Sequence, residues 1–352
     1  MPQPVKIAVV GCGWVAQQRH LPVMERDARF DVVGVIDRKP GQAEDVALRR
    51  GLRHHAQATR LSEVRWIDEV DAVTVAAAPM AHYDLAKEAL TLHKHVLVEK
   101  PFAMTVEEGE DIVQTAKGQN RCLAVVHNFQ FARSVKRLLA EIASGALGRV
   151  RGIDAVQFGN PLRRLPEWYE KLPFGLFYDE IPHLLYLMRA VAGPMRLSRA
   201  TIIPSLTGSN TPARVEAWFD GAVDYPMRLA CNFESPVSEW YLRIFGEKRL
   251  GIIDVFRDIY LSLPNDGVHG TRQVIRTSLV ATFQHWLQHV TSGIPYLAGR
   301  LFYGNDEVFA RFAASIGGDV HALGPIGPTT ALDTLRLQHA IINDRQAMAE
   351  AA

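Results

Sequence analysis

Cysteine is scarce in this chain: three in 352 residues, at Cys12, Cys122 and Cys231. They lie far apart without metal-ligand spacing, which excludes a disulfide framework and predicts reduced thiols in a cytoplasmic setting. An excess of charge of one sign is also missing. The formal net charge of +1 removes the electrostatic footprint expected of a nucleic-acid partner or an anionic membrane surface. The arginine pairs Arg49-Arg50 and Arg163-Arg164 read as solvated faces. No apolar run approaches the roughly 18 residues that a membrane span needs. Met1-Pro2-Gln3-Pro4 leads directly into a strand, with no visible signal peptide. Internal repeats and low-complexity stretches are absent. His54 and His55 are adjacent rather than on one face, and His285 and His289 lack a third ligand, so no metal site is expected.

What is present is an alternation of apolar runs and helical patterns, backed by 48% hydrophobic residues. Strands are expected at 6–10, 30–37, 72–76, 95–98 and 122–126, with helices at 14–25, 42–50, 82–92 and 106–117 between them. Such alternation predicts a parallel sheet covered on both faces. Beyond a helix at 134–144 the pattern changes. Strand-like stretches follow at 150–158, 199–203, 214–219, 227–233 and 240–245, and helices return at 278–291, 306–315 and from Ala331 onward. The fold class expected is α/β: a doubly wound parallel sheet over residues 1–125, then an α+β domain over 126–352 on an open, mostly antiparallel sheet. The C-terminal helix is expected to pack back on the first domain. An open sheet leaves an apolar face to cover, so a homodimer or homotetramer is expected.

Gly11-Cys12-Gly13-Trp14-Val15-Ala16 follows the first strand and opens the first helix. This Gly-x-Gly-x-x-Ala spacing is the dinucleotide fingerprint. The first glycine permits the tight turn, the second lets pyrophosphate approach the backbone, and the small third residue lets helix and strand pack. Amides at the helix start, at Trp14 and Val15, would bind the phosphates. Asp37, at the tip of the next strand, would accept from the ribose hydroxyls, which favours NAD. Arg38 and Lys39 follow it, and either would pair with a 2′-phosphate, which leaves NADP open.

Lys100 ends the strand His95-Val96-Leu97-Val98, followed by Pro101. Strand ends of doubly wound sheets are where ligands bind. Beside a nicotinamide ring and partly desolvated, the charged form of this lysine is disfavoured, which poises it to exchange a proton with a substrate hydroxyl. Asp179 and His183 stand four apart, on one face if the segment starts a helix. Asp179 either fixes the tautomer of His183 or caps the helix. Pro182 fits the first turn in both readings.

The stretches Ile7-Ala8-Val9-Val10-Gly11-Cys12-Gly13 and Lys94-His95-Val96-Leu97-Val98-Glu99-Lys100-Pro101, with Asp179 and His183, resemble the glucose–fructose oxidoreductase, inositol dehydrogenase and rhizopine-catabolism (Gfo/Idh/MocA) family over nearly the whole chain. The resemblance implies a Rossmann domain, NAD or NADP, and hydride transfer at a ring carbinol of a sugar, glycoside or cyclitol. It implies that Lys100 lies near the reacting hydroxyl, that His183 is the acid–base histidine and that Asp179 is the carboxylate one turn earlier. Glu99 would lie by the nicotinamide ribose. Ala77, Pro79 and His82 would line the cofactor, and Asn128 would adjoin nicotinamide or substrate. The Lys-Pro bond is cis in many such relatives. There are departures. Before Asp179 only Gly175 fits the family's glycine run, and Ile181 stands where a glycine is usual. The pocket wall is therefore bulkier. Trp168, Tyr169, Phe174 and Tyr178 stack on a substrate or fill core, and Tyr186 contacts substrate or fills space.

Two further readings compete with a dehydrogenase. One is a redox-neutral NAD-dependent glycosidase or lyase that oxidises its sugar transiently. The other is a non-catalytic dinucleotide-binding sensor, against which the joint presence of Lys100, Asp179 and His183 argues.

Overall fold

A computed structural model describes residues 3–163, 165–299 and 301–344. The chain divides into two compact units. One comprises Met1–Asn128 and Asn305–Arg336; the other comprises Phe129–Gly304 and the chain from Leu337 onward.

The first unit runs β1 (Val5–Val10), α1 (Leu21–Met24), β2 (Phe30–Asp37), α2 (Gln42–Arg50), β3 (His54–Gln57), β4 (Ala72–Val75), α3 (His82–Thr91), β5 (His95–Val98), α4 (Val106–Gly118) and β6 (Leu123–Val125). Its six strands are parallel, in the order β3-β2-β1-β4-β5-β6. This is the doubly wound order whose switch point, between β1 and β4, marks the ligand crevice at the strand C-termini. β1, β4, β5 and β6 are apolar runs with nearly every residue buried, as strands covered on both faces require. α1 continues a π-helical turn, Ala16–His20, which brings the His20 ring inside the unit. β3 was not anticipated. It is a four-residue edge strand of mostly polar residues, without an apolar pattern to announce it.

The second unit holds α5 (Arg133–Ala143), β7 (Val150–Phe158), α6 (Leu176–Ala192), β8 (Met195–Ile203), β9 (Arg214–Gly221), β10 (Met227–Asn232), β11 (Glu239–Gly246), β12 (Arg249–Asp254), β13 (Ile259–Pro264) and α7 (Thr271–Leu297). The sheet order is β13-β12-β11-β7-β10-β9-β8, antiparallel except for β7 with β10. Alternate residues such as Trp240, Leu242 and Ile244 of β11 enter the core. α6 supplies the other wall and is buried nearly all round. α8 (Asn305–Ile316) and residues 328–336 of α9 (Pro328–Ile342) belong to the first unit, and Leu337 and Ile341 to the second core.

Several expectations are corrected. Pro182 lies in the interior of α6, not in its first turn, and the N-cap is Gly175, so Asp179 is not the cap. A helical proline strands the carbonyl four residues back. Here that is Tyr178 O, and Gln338 Nε2 donates to it at 2.7 Å. The same device serves Pro295 of α7: Arg133 donates to Thr291 O at 3.0 Å. The open sheet face is not the apolar surface expected. Its central strands carry a charge ladder, Glu216–Arg228–Asp154–Arg243, at 3.4, 3.6 and 3.4 Å. The edge at β13 is covered by α7. Gln288 bonds both N and O of Tyr260, and Gln284 bonds both N and O of Ser262, which satisfies an otherwise open ladder. Arg163 is not on a solvated face but pairs with the buried Glu180; Arg164 lies outside the described residues. Residues 345–352, within the expected C-terminal helix, also lie outside them.

Candidate active site

The glycine turn sits at the β1–β4 switch point. Gly11 has φ +89°, and a Cβ there would come within 2.7 Å of the backbone of Ala76 and Ala77, just past β4. Only glycine fits such a position. A Cβ at Gly13 would meet nothing within 4 Å. The space beside it is open, at a helix start, where a pyrophosphate belongs. Ala16 is fully buried, as the packing role of the third small residue demands. Trp14 is exposed, with the Arg19 guanidinium 4.9 Å from its ring centroid, and Val15 is half-buried.

Asp37 ties two strand ends together. Its Oδ2 accepts from Cys12 N at 2.7 Å and its Oδ1 from Lys39 N at 2.8 Å. Each oxygen keeps a lone pair for a ribose hydroxyl. Arg38 and Lys39 are exposed. Burial, with the Asp37 charge adding to it, pushes the Cys12 thiol up to about 12, so it stays protonated and unreactive. The residues thus fit a dinucleotide, and the acid at the tip of β2 fits a free ribose.

Lys100 follows β5, and its bond to Pro101 is cis. Its backbone is held from two sides by buried histidines. On one side, His20 Nε2 meets Glu99 Oε1 at 2.8 Å, Thr74 Oγ1 meets His20 Nδ1 at 3.0 Å, and Glu99 Oε2 accepts from Lys100 N at 3.1 Å. On the other side, His82 places Nδ1 2.7 Å from Pro101 O and Nε2 3.1 Å from Ala77 O. Burial alone would raise the Glu99 carboxyl; the bond from His20 and the nearby cationic groups outweigh it and hold it below the usual range. Burial lowers His82, against the pull of its two carbonyls. His82 is therefore a strut between two loops, and Glu99 a brace for the lysine. Pro79 is buried and opens the short turn before α3. Ala77 is half-buried, and Asn128 is buried beyond β6. His20 and Thr74 were missed by sequence reasoning. Their partners are 79 and 54 residues from His20, so no local signal announces them.

In the second unit Asp179, His183 and Tyr186 share one face of α6. The residue on His183 Nδ1 is Tyr186, whose Oη is 2.8 Å away. That hydroxyl also accepts from Phe129 N at 3.1 Å, and which partner donates in its bond with Nδ1 depends on the imidazole tautomer. Tyr186 is thus an orienter of the histidine rather than a space filler. Phe129 and Trp240, both unanticipated, flank the imidazole, with ring centroids at 4.8 and 5.3 Å. Tyr178 is fully buried and bonds His339 Nε2 at 3.1 Å, so its ring offers no stacking surface. Trp168 and Tyr169 are half-buried in a short 3-10 helix, 167–171, and Phe174 packs edge-on against Phe177. His54 stacks on Trp66, and the rings of His285 and His289 meet at 4.5 Å. Among the described residues no group of three or more His, Cys, Asp or Glu is arranged to hold a metal, and no helix is long and apolar enough to cross a membrane.

Comparison with known proteins shows what the chain is similar to. Residues 5–127 match the Gfo/Idh/MocA model, described as an oxidoreductase family with an NAD-binding Rossmann fold. A dTDP-3,4-didehydro-2,6-dideoxy-alpha-D-glucose 3-reductase of Saccharopolyspora spinosa is 34% identical over 163 residues, covering 46% of this chain and 47% of that protein. The D-glucoside 3-dehydrogenase of Escherichia coli is 29% identical over 170 residues, covering 47% and 46%. The matches span half or less of the first curated relatives, at 38%, 50% and 47% of their lengths. Among solved structures, the WlbA dehydrogenase of Bordetella pertussis, in complex with NADH and UDP-GlcNAcA, aligns with TM-score 0.74 at 17% identity, over 99% of this chain and 97% of that one. At that identity the likeness shows the fold, and it extends over both units. Residues 5–127, with their glycine turn and Glu-Lys-Pro strand end, are thus similar to the NAD-binding Rossmann fold of the Gfo/Idh/MocA oxidoreductase family.

Proposed function

We propose that this chain is an NAD-dependent oxidoreductase acting on a ring carbinol of a sugar, glycoside or cyclitol. The observation that carries the reading is the doubly braced Lys100, at the end of β5 in a unit whose glycine turn fits a dinucleotide. Relatives named for glucoside and deoxysugar substrates support the substrate class.

NAD, when bound, supplies the hydride acceptor or donor. The chain's own residues hold the alcohol and manage its proton. Lys100 Nζ orients the reacting hydroxyl, its backbone fixed by Glu99 and His82. His183 takes or returns the hydroxyl proton at Nε2, in the tautomer whose Nδ1–H is donated to Tyr186 Oη. Asp179, one turn earlier on α6, adds a carboxylate to the same face. Asp37 favours NAD over NADP, since its carboxylate would repel a 2′-phosphate.

The test is incubation with NAD and a panel of pyranosides, glycosides and cyclitols, following the near-ultraviolet absorbance of reduced nicotinamide. Net reduction is expected with at least one substrate. Lys100→Ala should lower turnover by about 10²–10⁴-fold with NAD affinity retained. Unchanged turnover in that variant removes the proposed role.

A further inference from the structure

Among the described residues, exposed large apolar side chains cluster on α7. Ile275, Leu279, Phe283, Trp286, Ile294 and Leu297 are each between 54% and 85% exposed. At about 100° per residue they fall on one stripe of the helix. Ile275, Trp286 and Leu297 recur at intervals of eleven residues, a spacing that keeps the stripe nearly straight along the axis. Gln284 and Gln288, which hold α7 to the edge of β13, lie on the opposite side. The helix therefore has one face spent on closing the sheet and the other uncovered.

We infer that this stripe is an isologous interface with a second copy of the chain, formed by antiparallel pairing of two α7 helices about a two-fold axis near Trp286. Three observations choose this occupant. The first is area. Taking about 150–250 Å² for a large side chain, the exposed fractions leave on the order of 800 Å² of apolar surface, close to what one partner contributes to a standard interface. The second is charge. Residues 277–299 contain no Asp, Glu, Lys or Arg, so the patch meets its own copy without like-charge repulsion. A helix lying in a bilayer interface needs cations along its polar face; here that face is committed to the sheet edge and carries none over 277–299. The third is symmetry. Trp286 is the midpoint of the stripe, so antiparallel pairing sets it against itself and Ile275 against Leu297. Phe283 and Trp286, the aromatic anchors, then sit at the centre, where hot spots belong. This inference rests on no part of the catalytic reading.

The experiment is sedimentation velocity of the full chain at micromolar concentration, beside the double variant Phe283→Lys/Trp286→Asp. The expected result is a wild-type assembly of two or more copies whose mass falls at least by half in the variant. Both side chains point away from the sheet, so the thermal midpoint of the variant monomer should stay close to wild type. A second variant, Trp286→Cys in a Cys122→Ser background, should form a disulfide-linked dimer on mild oxidation, since Cys12 and Cys231 are buried. A monomeric wild type, an assembly that survives the double substitution, or a monomer that co-floats with anionic vesicles through α7 would each overturn the inference.

Discussion

His20 and Glu99 meet at 2.8 Å inside the first unit, and the second oxygen of that carboxylate accepts the amide of Lys100. The first helix and the fifth strand are thereby joined one residue before the candidate catalytic lysine. Thr74, on the strand between them, bonds the other histidine nitrogen and fixes the ring.

Removal of the imidazole leaves the Glu99 carboxylate buried without that partner. His20→Ala should destabilise the chain by about 1–3 kcal/mol, read from urea unfolding. It should also lower kcat more than NAD affinity, because the lysine loses its brace while the glycine turn is untouched. His20→Gln keeps a donor and should recover part of both effects. An alanine variant with wild-type kcat would show that the brace does not position Lys100.

The two glycines of the turn should respond differently to one added methyl. Gly11→Ala forces a Cβ to 2.7 Å from the residue 76–77 backbone at a positive φ, so the first unit should unfold at much lower temperature or fail to fold. Gly13→Ala places its Cβ in open space. Its thermal midpoint without ligand should match wild type, while calorimetric NAD affinity falls by about tenfold or more as the methyl occupies phosphate space. Undiminished NAD affinity in Gly13→Ala would place the dinucleotide elsewhere.

Tyr186→Phe deletes a hydroxyl that contacts His183 Nδ1 and the Phe129 amide. Turnover should fall by roughly tenfold or more and the pH–rate profile should move, since the tautomer is no longer set. A purely structural tyrosine would lower stability and leave that profile in place.

His82 supplies a pH dependence of stability. Burial lowers its folded pKa, whereas the unfolded chain protonates it near the ordinary value of about 6.5. Between those two values the unfolded state binds more protons, so stability is complete above about 6.5 and falls as the pH drops below it. Ring chemical shifts should show His82 titrating below the ordinary histidine value. A ring that titrates at or above 6.5 would contradict this.

Much of the first unit was legible because its signals are local. Apolar runs buried on both faces announce β1, β4 and β5, and the positive φ of Gly11 is written as a glycine. β12 and β13 went unread since they alternate inside a meander after a clear hairpin turn, with no break in composition. Pro182 misled for a physical reason. Its cost inside a helix is usually decisive, but Gln338, distant in sequence, satisfies the carbonyl it releases. In the sequence Tyr178 reads as stacking surface or core, and Tyr186 as substrate contact or space filler; burial and hydrogen bonding make the first a core ring and the second a histidine partner.

By itself the sequence determined the element types of the first unit, the dinucleotide turn and the candidate lysine and histidine, because backbone conformation and strand periodicity depend on neighbours within a few residues. Only the tertiary structure decided which groups hold them: His20 and His82 around Lys100, Tyr186 on His183, and two glutamines on the edge of β13. Those contacts are side-chain hydrogen bonds in buried surroundings, mostly across long stretches of chain. Their geometry exists only once the sheets have formed and water has been excluded.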